Sequence, residues 1–472
     1  MAFQNNLPAF EGFDFMDLDE SSEDGAGPSG STAMPAAQVL RNENNEQAGH
    51  VSRTTTSYWP PDKLNGQVFI GFFGMLTKGT TEHVATIEIR RLEGGHVQVS
   101  FNDPLKLVGS YSWAAARGGH VMYVPGGPRV IKEVGGRIQV GQFGFKGPFQ
   151  CLIQNENAFH SMDYRMEPVI RAVRQKHEGI FLNNIDLVSD DKTLTELFFH
   201  LSGQKWKRTR FELQTVGKTL FITYNLMKHR HKTETTIHSK EHYVKRAIYN
   251  YEATDALPGL EEASSFNQVT MYKFGKLLCI VRGEVDTATP SERPVRGYFD
   301  WDEEIEVGKA PGFLPGRYDR GINVVGKGDG LTGLISTKNC LYSIMDPLRK
   351  EKHLRDRDLA QAWFGRIQQL HTAEHNNWVV NNRTNTKSTM MTDTSVKWDQ
   401  KNQVVLRKMS RFLDALRCIT MENGGSCVLL WDVPGCARIF TTFKPDYPLP
   451  DDLMQSCWCR TVPPNDSLLE LE

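Results

Sequence analysis

Eight residues, Cys279-Ile280-Val281-Arg282-Gly283-Glu284-Val285-Asp286, constrain this 472-residue chain more than any others. Their apolar, β-branched first half reads as a strand. On an extended chain alternate residues share a face, so Glu284 and Asp286 are expected to project together from the strand's end. Two carboxylates so placed are the donors a hard cation such as Mg²⁺ or Mn²⁺ prefers. Metal-assisted phosphodiester hydrolysis needs more: further ligands, and a lysine on a neighbouring strand to orient the attacking water. The nearest match to a Glu-x-Lys is Leu334-Ile335-Ser336-Thr337-Lys338, which supplies the lysine and has a serine in the place of the glutamate. The plain alternative for the two acids is a solvated strand end.

Strand-like runs recur at Val68 to Phe73, His83 to Ile89, Val97 to Phe101, Val121 to Val124 and Phe211 to Thr223. Helical spacing marks Pro168 to His177, then Leu359, Trp363, Ile367 and Leu370, then Leu406, Met409, Leu413 and Leu416 ahead of a stop at Asn423-Gly424-Gly425. Cys427 to Trp431 and Arg438 to Thr442 read as a closing strand pair joined through Pro434-Gly435. Strands and helices mixed without regular βαβ alternation imply an α+β, mixed-sheet domain with flanking helices. Residues 58–462 are assigned to that single domain. Residues 1–57 are too poor in β-branched side chains to offset the entropy of ordering and are expected to be disordered, as are residues 463–472.

Near-neutral net charge hides an asymmetry. Residues 1–50 carry nine acids and one base, Arg41, which leaves 54 bases against 47 acids in the rest of the chain. A basic body with an acidic tail suits an anionic partner. In the tail, Phe10 to Glu20 alternates acidic and large apolar residues, the composition either of a segment that folds onto a protein partner or of a solubilising tail. The longest apolar stretch, Val68 to Leu76, is too short to span a bilayer, and the N-terminus lacks a signal-like apolar core, so an intracellular protein, nuclear or cytoplasmic, with no membrane association is expected. Eight scattered cysteines suit reduced thiols.

The stretch from Lys205 to Arg246 holds eleven Lys or Arg against three acids, with aromatics interleaved. Cations neutralise phosphates and aromatic faces stack bases, so Lys205, Trp206, Lys207, Arg208, Arg210, Lys228, Arg230, Lys232, Lys245 and Arg246 are candidate nucleic-acid contacts. The alternative is a solvated charged face.

Several segments, taken in order, resemble the decapping exoribonuclease family, metal-dependent RNA 5′-end enzymes with a PD-(D/E)xK-type core. They are Val108-Gly109-Ser110-Tyr111-Ser112-Trp113, Leu194-Thr195-Glu196-Leu197, Val216-Gly217-Lys218-Thr219-Leu220-Phe221-Ile222 and Arg282-Gly283-Glu284-Val285-Asp286. More closely, the chain resembles a divergent fungal branch whose members are often labelled geranylgeranyl pyrophosphate synthetases. The resemblance implies a nuclease-like domain in which Glu284 and Asp286 are metal ligands for Mg²⁺ or Mn²⁺ and Lys338 is the catalytic lysine. Other family positions diverge: the first-motif arginine falls at Asp190 to Lys192, the second-motif glutamate near Ile248-Tyr249, the Glu-x-Lys glutamate at Ser336, and a helical glutamine near Arg366, one turn after Gln361. Three readings follow. The first is a pseudoenzyme that binds RNA or serves as a partner subunit, the second an active decapping enzyme or 5′-exonuclease, and the third a protein-interaction module without nucleic acid.

Overall fold

The computed structural model describes residues 51–52, 76–115, 120–131, 137–139, 156–161, 163–177, 179–204, 207–224, 254–290, 322–327, 337–345, 352–376, 379–381, 386–443 and 447–458. The chain divides into two units, Met1–Glu46 and Gln47–Glu472, and every described residue belongs to the second.

Numbered along the chain, its strands are β1 (Val51–Ser52), β2 (Thr80–Glu88), β3 (Leu105–Trp113), β4 (Val121–Val124), β5 (Val130–Ile131), β6 (Arg137–Gln139), β7 (Leu187–Asp190), β8 (Thr209–Val216), β9 (Thr219–Tyr224), β10 (Thr254–Asp255), β11 (Phe266–Phe274), β12 (Leu277–Val285), β13 (Thr287–Pro290), β14 (Asn323–Gly326), β15 (Thr337–Met345), β16 (Gln369–Asn376), β17 (Val379–Asn381), β18 (Thr386–Met390), β19 (Ser426–Val433) and β20 (Cys436–Thr442). The helices are α1 (Glu156–His160), α2 (Glu167–Lys176), α3 (Asp191–Ser202), α4 (Lys352–Phe364), α5 (Met391–Glu422) and α6 (Asp451–Trp458). Among the described residues twelve strands form one sheet in the order β1-β2-β20-β19-β8-β9-β7-β12-β11-β3-β4-β14, and eight form another around β13, β15 and β16. Parallel pairs (β7 with β9 and with β12) sit beside antiparallel ones, so the fold is the expected mixed α+β class.

Both faces of the large sheet are covered. On β12, Cys279 and Val281 pack against α3, α4 and α5 through Leu197, Trp363 and Phe412, while Ile280 points the other way, toward Val169 of α2 and Leu453 of α6. Each fully buried aliphatic or aromatic side chain contributes roughly 1.5–3 kcal/mol, which explains why these strands are apolar at successive residues rather than alternate ones. Five described cysteines, Cys279, Cys418, Cys427, Cys436 and Cys457, are free thiols. Among the described residues no helix is long and apolar enough to cross a membrane.

Some local expectations are corrected. Phe211 to Thr223 is a hairpin, β8 and β9, turning at Gly217 with φ of 57°. Val97 to Phe101 is not a strand: Val99 N–H donates to Gln403 Oε1 at 2.9 Å and Phe101 N–H to Asp399 Oδ2 at 2.8 Å, so side chains of α5 take the place of a neighbouring strand. The helix through Leu359 and Trp363 stops at Phe364 because Arg366 adopts a left-handed φ of 55°, and Leu370 belongs to β16. Val68 to Phe73 lies outside the described residues.

Candidate functional site

Strands β9, β7 and β12 lie side by side and run the same way, so their carboxyl ends share one edge of the sheet. Ligands of α/β sheets commonly bind outside such ends. β7 stops where Asp190 caps α3, its Oδ1 accepting the Thr193 N–H at 2.8 Å. This local cap, worth about 1 kcal/mol, turns Asp190-Asp191-Lys192 into a strand-to-helix corner at the sheet's end.

The neighbouring strand fills that corner with complementary charge. Arg282 pairs in register with Asp190, and its Nη2 donates to Asp190 Oδ2 at 3.2 Å. Two residues further along both segments, the Lys192 ammonium donates to Glu284 Oε2. This ion pair is open to solvent, with side-chain exposures of 44% for Lys192 and 36% for Glu284. Asp191 is enclosed instead, 2% exposed, and accepts Gln361 Nε2 of α4 at 3.1 Å. Burial, only partly offset by the Lys192 charge, pushes its carboxyl up to about 7, and Asp190 and Glu284 act in the same direction.

On the opposite flank of Glu284 the cross-strand neighbours are Asn267 and Tyr111. Asn157 of α1 joins them, accepting the Tyr111 hydroxyl at 2.6 Å and Trp113 Nε1 at 3.0 Å and donating to Asn267 Oδ1 at 3.0 Å. Burial pushes the Tyr111 hydroxyl up to about 12, so it is a proton donor throughout the physiological range.

The two acids of the initial motif have different surroundings. Glu284 stands on β12, half-exposed and salt-bridged; Asp286 follows the strand's end and is buried at 7% exposure. Lys338 stands on β15 opposite Thr289 of β13, in the second sheet. Among the described residues no group of three or more His, Cys, Asp or Glu is placed to hold a metal ion, and one carboxylate oxygen of Glu284 faces an ammonium. Among the described residues, then, the half-exposed acid of the motif, Glu284, is taken up by a cation of the chain itself.

Of the candidate nucleic-acid contacts, Lys207 is exposed and Arg208 half-buried. Arg210 departs from the expectation. It is buried, paired with Glu212, and donates Nη1 to the carbonyls of Leu76 at 2.7 Å and Lys78 at 2.6 Å, so its guanidinium braces the chain rather than facing a phosphate. Lys205, Trp206, Lys228, Arg230, Lys232, Lys245 and Arg246 lie outside the described residues, as does Phe10 to Glu20.

Asp190, Asp191, Arg282 and Gln361 were not among the sequence-derived site residues. The signal that points to the two aspartates is the short run Leu187-Val188-Ser189 breaking at an Asp-x-x-Thr cap, which places the intervening Asp191 and Lys192 at a strand's carboxyl end.

Residues 83–295 match a family model described as Domain of unknown function (DUF8563). No curated protein matches the sequence. Among solved structures the chain is similar to S. pombe Rai1, at 11% identity and a TM-score of 0.46 over 75% of this chain and 98% of that one. It is also similar to Candida albicans Rai1 in complex with pU5-Mn2+, at 11% identity and 0.47 over 79% and 98%. A third likeness is to K. lactis Dxo1 in complex with manganese, at 9% identity and 0.43 over 77% and 98%.

Proposed function

We propose that this chain is a catalytically degenerate relative of the RNA 5′-end decapping nucleases, acting inside the cell by binding RNA or as a partner subunit rather than by hydrolysis. The observation that carries the reading is the Lys192–Glu284 ion pair: the acid that the family resemblance makes a metal ligand is bound to a cation of the chain itself. The order of the resembling segments supports the kinship. They fall on β3, on α3, across the β8–β9 turn and on β12, and the residues they contribute or adjoin (Tyr111, Lys192, Glu284) gather at one edge of the sheet. RNA as the bound molecule is supported by composition and by the order of segments in the sequence. The basic segment that includes Lys228, Arg230 and Lys232 begins directly after β9, and the backbone N–H of Tyr224, the last residue of β9, donates to Thr193 Oγ1 of α3 at 3.0 Å.

The test is binding and turnover of 5′-monophosphate, 5′-triphosphate and capped RNA. Salt-dependent binding in EDTA, with identical products from the wild type and the Glu284→Ala/Asp286→Ala variant in Mg²⁺ or Mn²⁺, supports this reading. Products that only the wild type makes would overturn it in favour of an active metal-dependent decapping enzyme or 5′-exonuclease. One observation favours that second reading: Asp191 supplies a further carboxylate that interacts electrostatically with Glu284. The third alternative, a protein-interaction module, predicts no RNA binding at any salt concentration.

A further inference from the structure

We infer that Lys192 is the resident cation of this carboxylate cluster, holding the place of a divalent metal ion and closing the site to one. The inference deepens the degenerate reading and rests on it. Asp190, Asp191 and Glu284 are brought near one another because β7 and β12 are parallel and in register up to Asp190 and Arg282, and the first turn of α3 then carries Lys192 onto Glu284 and Asp191 within electrostatic reach of both other acids. Asp190 and Glu284 put two negative charges at adjoining strand ends beside the buried Asp191 carboxyl, and such an edge calls for compensating cations. The compensation is internal: Arg282 takes Asp190, and Lys192 takes Glu284. Magnesium and manganese bind readily through one or two carboxylates and retained waters, so Asp191 and Glu284 would suffice in number. What excludes such an ion is the ammonium on Glu284, which occupies a ligand oxygen and repels a second cation.

Lys192 is also dispensable to the core. Its side chain is 44% exposed and its Nζ bonds to Glu284, so replacing the ammonium by a methionine tip keeps the apolar stem and removes only the charge. The α3 cap is made by Asp190 and Thr193 and does not involve the lysine side chain.

The experiment titrates the full chain with Mn²⁺ and follows free Mn²⁺ by electron paramagnetic resonance. Lys192→Met is expected to bind one Mn²⁺ at least tenfold more tightly than the wild type. Lys192→Arg, which keeps a positive charge, is expected to stay closed, and Lys192→Met/Glu284→Gln to lose the gain. Should Lys192→Met fail to give the wild-type circular dichroism spectrum, Lys192→Gln takes its place under the same criterion. The inference is overturned if the folded charge-neutral variant binds Mn²⁺ no better than the wild type, if the gain survives Glu284→Gln, or if the wild type binds as tightly as the variant. RNA binding by the wild type in EDTA is a separate readout: its absence would sink the RNA-binding role of the proposed function, whereas an absent Mn²⁺ gain with RNA binding intact sinks this inference alone.

Discussion

Gly283 of β12 touches Gly365, just past α4, backbone to backbone: a Cβ on Gly283 would stand 2.8 Å from the Gly365 carbonyl oxygen and 3.1 Å from its Cα. Neither atom belongs to a side chain that could swing aside. The same carbonyl accepts Gln268 Nε2 at 2.6 Å, so it is held in place. Gly283→Ala is therefore expected to cost about 1–3 kcal/mol, as overpacking does. Urea denaturation reads this directly, and an unchanged midpoint would refute the close approach.

Asp191 gives the fold a pH dependence with a definite sign. Its folded-state pKa, about 7, stands above the 3.8 of an unperturbed aspartate. Between these two values the unfolded chain has released the proton that the folded chain still holds, so stability falls as pH rises from about 4 to 7 and levels off above. Asp191→Asn keeps an acceptor for Gln361 and removes the ionisation. It is expected to flatten this slope and to stabilise the fold at pH 8 by on the order of 1–3 kcal/mol relative to the wild type. Urea midpoints of both proteins at pH 5 and pH 8 test it; equal slopes would place the ionisation elsewhere.

Arg366 is a buried cation enclosed by aromatic faces. Its guanidinium carbon lies 4.0 Å from the ring centre of Tyr272, 4.5 Å from that of Trp363 and 4.9 Å from that of Phe101, and its terminal nitrogens donate to the carbonyls of Phe101 at 2.8 Å and Ser100 at 3.2 Å. Arg366→Met removes the donors from both carbonyls and the cation from all three rings, an expected loss of about 3 kcal/mol or more. Thermal unfolding with a midpoint within a degree of the wild type's would contradict this.

Arg210 and the cations that precede it in sequence are expected to separate stability from binding. Arg210→Ala leaves two backbone carbonyls and Glu212 without their donor and should lower stability by about 2–3 kcal/mol while leaving the salt dependence of RNA binding unchanged. Lys205→Ala/Lys207→Ala/Arg208→Ala should do the reverse. Three phosphate-facing cations lost would reduce the slope of log K against log salt by about 2–3. Binding by the triple variant that matches the wild type at every salt concentration would remove this segment from the RNA surface.

The β12 strand was legible because its apolar run obeys a simple period, and α2, α5 and the β19–β20 hairpin were legible from spacing and from Pro434-Gly435. What the sequence hid depends on contacts made at a distance. Val99 and Phe101 look like strand residues, yet their amides are satisfied by Gln403 and Asp399, some 300 residues away. Arg210 sits in a run of exposed-looking charge and is buried because the Leu76 and Lys78 carbonyls happen to need a donor. Glu284 was found as an acid, but its partner could not be, since pairing Lys192 with it requires knowing that β7 lies beside β12 and in which register. Gln361 lies one turn ahead of Arg366, and only the helix end at Phe364 tells which of the two reaches Asp191.

Thr193 has two duties on one residue: its amide is tethered to Asp190, and its hydroxyl receives the Tyr224 amide. The end of β9 is thus tied to the first turn of α3, the turn that carries Lys192. A shift of Tyr224 is therefore a shift of α3's first turn, and so bears on the Lys192–Glu284 pair.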